Sequence, residues 1–121
     1  MKNIIDDRGS LFVCHTKEIP FEVVRIYTIT FNKIGTIRGN HSHINLKQRL
    51  ICVQGGIKVE ILYQDGTEEV YPLGVGDFID IYPKQWRKLI ALNEKSVALV
   101  LCDQPYSPED YIDCKTEFFK C

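Results

Sequence analysis

Apolar and polar residues alternate in short stretches along most of this chain, and each stretch is about as long as a β-strand. "FEVVRIYTITF" (21–31), "IKVEILY" (57–63) and "SVALVLC" (96–102) are rich in Val, Ile, Tyr and Thr. Their near two-residue period turns one face of a strand to a core and the other to solvent. The same reading predicts strands over "LFVCH" (11–15), "TIRGNHSHI" (36–44), "LKQRLICVQ" (46–54), "TEEVYPL" (67–73), "DFIDIY" (77–82) and "WRKLIAL" (86–92). Nine short strands at this spacing imply an all-β sandwich or barrel with antiparallel pairing. Gly55-Gly56 and Asp65-Gly66 can supply the positive φ of tight hairpin turns, and the polar Asn93-Glu94-Lys95 suits a hairpin tip.

The pattern changes only near the C-terminus. In "YSPEDYIDCKTEFF", Ser107 can cap a helix, Pro108 fits its first position and Asp110 completes a capping-box-like arrangement. A short helix is expected there, with Tyr111, Ile112 and Phe118 packed on the sheet.

Composition narrows the class. A length of 121 residues suits one domain, 1–121, with a sizeable core, and 45% hydrophobic against 26% charged residues excludes a disordered chain. A formal net charge of −1 gives no global field for nucleic acid or an anionic membrane, so neither is expected as a partner. No apolar run approaches a membrane span, and "MKNIIDDRGS" turns acidic before any signal-peptide core. Five cysteines (Cys14, Cys52, Cys102, Cys114, Cys121) are odd in number and form no CxxC pair. They read as free thiols of a cytoplasmic protein, not as a zinc site.

The chemistry centres on His41-Ser42-His43. Residues i and i+2 of a strand face the same way, so the two imidazoles project side by side. On their own they could equally be a solvated pair. Gly35 and Gly55 bracket them in the spacing G-x5-H-x-H-x4-Q-x6-G, which resembles the first signature of the cupins, and "GDFIDIYPKQWRK" (76–88) has the place of the second. Cupin metal sites typically add a glutamate and a third histidine; here those places hold Gln48 and "WRKL", with the cations Arg87 and Lys88. Two neutral imidazoles and an amide make a poor divalent-metal site. No metal or other cofactor is expected. A histidine that titrates near neutrality can instead take and return a proton beside a carbonyl, with an Arg or Tyr stabilising the enolate.

A longer match sharpens this. "IIDDRGSL" (4–11), "IPFEVVRIY" (19–27), "RGNHSHINLKQRLICVQG" (38–55), "YPKQW" (82–86) and "CDQPYSPEDYI" (102–112) occur in this order. Together they resemble the nucleotide-sugar 3,4-ketoisomerases, small cupins acting on dTDP-4-keto-6-deoxy-glucose without metal or redox cofactor. The resemblance implies a small cupin jelly-roll β-barrel with a short C-terminal helix. It also implies a homodimer, with N-terminal strands exchanged, and a dTDP-linked keto-deoxy-hexose as substrate on the way to an amino sugar. By the same resemblance His41 is the base at the sugar C3, His43 assists, and Tyr27 donates to the enediolate oxygen. Arg8, Arg25, Arg38, Gln48, Trp86 and Arg87 then hold the substrate. Family members differ at Arg8 and Arg87 and in the C4 configuration of the product, and "WRKL" departs from the more usual WHEM or WREM.

Residue by residue, ordinary roles also fit: Tyr27 as a strand tyrosine, Arg25 and Arg38 as surface arginines, Gln48 at a strand start, Trp86 filling the barrel mouth. A non-catalytic sugar-nucleotide-binding cupin and a metal-dependent cupin enzyme are the competing classes, with a 3,5-epimerase ranked below them.

Overall fold

The computed structural model describes residues 1–120. The free thiol expected at Cys121 lies outside the described residues. Eleven strands form among them: β1 (Lys2–Asp6), β2 (Gly9–Val13), β3 (Arg25–Phe31), β4 (Ile37–His43), β5 (Gln48–Gln54), β6 (Ile57–Leu62), β7 (Glu68–Leu73), β8 (Phe78–Ile81), β9 (Trp86–Ala91), β10 (Ser96–Cys102) and β11 (Tyr111–Ile112). One α-helix, α1 (Lys115–Lys120), follows. Strands β1 and β2 make a separate hairpin; the rest form two antiparallel sheets, ordered β3-β10-β5-β8 and β11-β4-β9-β6-β7.

The inward faces of the two sheets carry the alternating apolar set. Phe31, Leu50, Cys52, Ile57, Val59, Ile61, Leu89, Val100 and Cys102 are buried between them, each large side chain contributing roughly 1.5–3 kcal/mol by leaving water. The four-stranded sheet is apolar outside as well. There Ile51 and Leu101 are covered by Ile19, Phe12 and Phe21 of the N-terminal segment, which explains why β5 and β10 read as near-continuous hydrophobic runs.

Two turns expected as hairpins are crossings between sheets. Gly55-Gly56 joins β5 to β6, and Asn93-Glu94-Lys95 joins β9 to β10, and in each case the two strands belong to different sheets. A crossing and a hairpin demand the same turn residues, so the local sequence does not separate them. Ser96 ties the two crossings together: its hydroxyl lies 2.9 Å from the carbonyls of both Gly56 and Asn93 and accepts the Gly56 N–H at 3.2 Å. Gly55 has φ +71°, and a Cβ there would lie 2.5 Å from Ser96 Oγ. Asp65-Gly66 is a true hairpin tip between β6 and β7, with Asp65 Oδ1 accepting the Thr67 N–H at 2.9 Å.

The C-terminal helix is shorter and later than expected. Ser107 precedes only a 3-10 turn, Pro108–Asp110, makes no capping bond to it and donates to Glu109 instead. The chain then extends as β11, because Tyr111 and Ile112 pair with His43 and Ser42 of β4. Ile112 and Phe118 pack as expected, in a cluster with Trp86. Tyr111 turns the other way, onto the histidines.

Candidate active site

The site begins with an irregularity in β4. Gly39 pairs with Lys88 and His41 with Arg87, leaving Asn40 as the extra residue of a β-bulge. Gly39 (φ +79°) and Asn40 (φ +65°) both lie in the left-handed region, which Gly enters freely and Asn tolerates better than most residues. Beyond the bulge His41 and His43 share a face, their ring centroids 4.8 Å apart and nearly perpendicular.

The two rings have different surroundings. His41 stands on the wall of a cavity of about 420 Å³, within the range of small-molecule sites. Its ring is hydrogen-bonded to the Gly39 backbone; burial, then the Arg87 charge, keep its pKa below the usual histidine value. His43 lies behind, 2% exposed, with Nδ1 3.0 Å from Asp110 Oδ2. Burial, Arg87 and His41 hold it well below the ordinary value, against the pull of Asp110. The Asp110 carboxylate also accepts the backbone N–H groups of Asn45 (2.8 Å) and Leu46 (3.3 Å). A carboxylate only accepts, so Nδ1 of neutral His43 carries the proton and Nε2 keeps its lone pair. Tyr111 closes over both histidines, its ring centroid 4.8 Å from that of His41 and 4.4 Å from that of His43.

The facing wall comes from β3 and β5 of the other sheet, while β9 and β4 itself continue the wall on which His41 stands. Arg25, Tyr27, Arg38, Gln48 and Arg87 line the same cavity as His41. The Tyr27 hydroxyl accepts from Gln48 Nε2 at 2.8 Å, and Arg87 Nη1 donates to Gln48 Oε1. Arg87 is buried, with its other N–H groups on the Gln85 carbonyl; burial pushes its pKa down to about 10, so it remains a cation at neutral pH. Arg25 has its guanidinium 5.3 Å from the Tyr27 ring centroid and its Nε buried without a hydrogen-bond partner among the described residues. The donor set is thus two imidazoles and an amide whose oxygen already accepts from a guanidinium. Among the described residues no three His, Cys, Asp or Glu side chains converge as metal ligands.

Two residues expected at the substrate are placed elsewhere. Trp86 precedes Arg87 on β9 and therefore faces the opposite side of the sheet. There it stacks on Phe118 (5.6 Å between centroids) and donates from Nε1 to Asn40 Oδ1 at 3.0 Å. Arg8 sits at the tip of the β1–β2 hairpin, 87% exposed and paired with Asp6 at 2.7 Å, outside this chain's cavity. Conversely, Asp110 and Tyr111 stand at the histidines, where no sequence pattern places them. The Ser-Pro-Glu-Asp run reads as a helix start, and nothing local signals that Asp110 meets a residue 67 positions earlier.

Two facing antiparallel sheets around an arginine-rich cavity with His41 on its wall have the architecture of a cupin. A family model described as "FdtA: WxcM-like, C-terminal" matches residues 1–121, and the chain belongs to that family. It is 33% identical over 114 residues to the TDP-4-oxo-6-deoxy-alpha-D-glucose-3,4-oxoisomerase of Aneurinibacillus thermoaerophilus, covering 92% of this chain and 81% of the relative. Among solved structures it resembles a histidine-to-asparagine variant of the 3,4-ketoisomerase QdtA from Thermoanaerobacterium thermosaccharolyticum, in complex with TDP-4-keto-6-deoxyglucose. The TM-score is 0.88 at 33% identity, covering 98% of this chain and 87% of that one. It also resembles the TDP-quinovose 3,4-ketoisomerase WlaRB of Campylobacter jejuni, with TM-score 0.85 at 31% identity over 99% and 93% of the two chains. The chain is accordingly an isomerase of the nucleotide-sugar 3,4-ketoisomerase kind.

Proposed function

We propose that this chain converts TDP-4-keto-6-deoxyglucose to the TDP-3-keto-6-deoxyhexose by histidine acid/base catalysis through an enediol, without a metal. The observation that carries the reading is that His41 and Tyr27 line one cavity with three arginines, Arg25, Arg38 and Arg87. A depressed pKa keeps His41 unprotonated at neutral pH, as a base must be.

The steps balance without an external reagent. The free nitrogen of His41 removes the proton on C3, and the electrons of that bond pass into the ring, making the C4 carbonyl oxygen an enediolate oxygen. Tyr27 donates a hydrogen bond to that oxygen, which takes up the O3 proton as the carbonyl closes at C3. Protonated His41 returns its proton to C4, giving the 3-keto, 4-hydroxy sugar and the neutral base. His43, held by Asp110, orients His41 and relays protons behind it. Arg25 and Arg38 suit the pyrophosphate, since a guanidinium can fork onto two phosphate oxygens.

The reading extends to assembly. Ile4, Ile5 and Leu11 are exposed on a hairpin that pairs with neither sheet, and Arg8 at its tip has no part in its own cavity. A homodimer in which this hairpin lies on the second copy would bury the apolar set and bring Arg8 to the partner's site. The unpaired state of the four described cysteines fits a cytoplasmic setting.

The test is proton NMR of TDP-4-keto-6-deoxyglucose with the protein in D2O, with and without chelator. A new 3-keto sugar carrying deuterium, formed equally with chelator, is the expected result, and its couplings give the C4 configuration. Absence of both exchange and product overturns the reading.

A further inference from the structure

The hydrogen bonds around Gln48 run in one direction only. Arg87 is a donor without lone pairs, so the atom of Gln48 that faces it must be the carbonyl Oε1. The amide NH2 is then turned to Tyr27 Oη, at 2.8 Å, and to Cys102 Sγ, at 3.5 Å. The flipped amide would set NH2 against the guanidinium, donor on donor. With its oxygen already accepting from Gln48, the Tyr27 hydroxyl has its proton free to point into the cavity that it lines.

We infer that Gln48 is a positioning residue, which, oriented by Arg87, commits the Tyr27 hydroxyl as a donor to the substrate oxygen on which negative charge grows. The inference rests on the ketoisomerase reading above and gives Gln48 a role different from touching the sugar. The identity of the side chain is decisive. A glutamate here would accept from Arg87 and from Tyr27 together, drawing the phenol proton away from the substrate while filling the same volume. Burial raises the Tyr27 pKa, so the phenol keeps the proton it donates. A preorganised donor of this kind is worth roughly 10²–10³ in kcat.

The test is a double-mutant cycle of Gln48→Glu and Tyr27→Phe with TDP-4-keto-6-deoxyglucose as substrate. Gln48→Glu is expected to lower kcat about 10²-fold, as Tyr27→Phe does, with KM nearly unchanged. In the Tyr27→Phe background the same change should cost less than about threefold. An unchanged kcat, or an equal loss in both backgrounds, overturns the inference. Gln48→Met carries no charge and serves in the same cycle if the Glu variant fails to fold; its loss too must vanish in the Tyr27→Phe background. Carbon-13 NMR of the tyrosine Cζ, with the Tyr27 line assigned by its absence in Tyr27→Phe, reads the hydroxyl without turnover. That line must move in Gln48→Glu, and a stationary line refutes the inference. Wild-type protein that turns over nothing would instead sink the ketoisomerase reading.

Discussion

His43 Nδ1 and Asp110 Oδ2 meet at 3.0 Å across 67 residues of chain. The backbone N–H of Asn45 holds the other carboxylate oxygen and that of Leu46 shares Oδ2, so the pair settles which ring nitrogen of His43 holds the proton. Asp110→Asn must set its NH2 either against the Asn45 N–H or against Nδ1 and the Leu46 N–H, so the hold on the His43 ring and its tautomer weakens in both orientations. We expect kcat to fall by about 10²-fold or more, with substrate affinity and a cooperative thermal transition retained. Steady-state kinetics beside a melting curve checks both.

Burial of His41, and after it the positive charge of Arg87, disfavours the protonated ring and places the acid limb of activity. The base thus stays neutral below the ordinary histidine pKa, and kcat/KM of the wild type should hold down to a pH below about 6.5. Removing the cation, as in Arg87→Gln, raises the His41 pKa and moves the limb to higher pH. A limb that stays in place would mean that His41 is not the group titrating.

Trp86 acts on the fold and the bulge. Trp86→Ala should cost about 3–5 kcal/mol, the usual range for emptying a buried aromatic site. Trp86→Phe keeps the stack on Phe118, loses the bond to Asn40 and should cost roughly 1 kcal/mol. Denaturant unfolding gives both values. KM for the sugar nucleotide should be unchanged in Trp86→Phe, which a tryptophan touching the substrate would not allow.

Gly55 admits no side chain. A Cβ would lie 2.5 Å from Ser96 Oγ on a backbone with φ +71°. Left-handed strain and overpacking add, so Gly55→Ala should destabilise by about 2 kcal/mol or more. Loosening of the Ser96 link should show as faster amide exchange in both crossings.

The sequence is most legible where structure is local. Strands β3 to β10 each fall within a stretch chosen by alternation, and the histidine pair is visible because neighbours at i and i+2 share a face. Strand β1 escapes because "KNIID" sets Ile4 beside Ile5 and leaves most of its length in solvent. Strand β11 escapes because a two-residue pairing with β4 overrides strong helix-start chemistry. Arg87 was legible as a cation that spoils a metal site. That it also orients an amide on another strand depends on the register of β9 against β4 and on the facing of the two sheets, which no window of sequence contains.

The cavity wall takes Tyr27 from β3, Gln48 from β5 and Arg87 from β9, with His41 and Tyr111 from β4 and β11. No two consecutive strands supply a working fragment, so catalytic competence is a property of the closed sandwich. Closing such distant pairings is what makes all-β chains slow to fold. A chain whose two sheets do not yet face each other holds every one of these side chains and is inert.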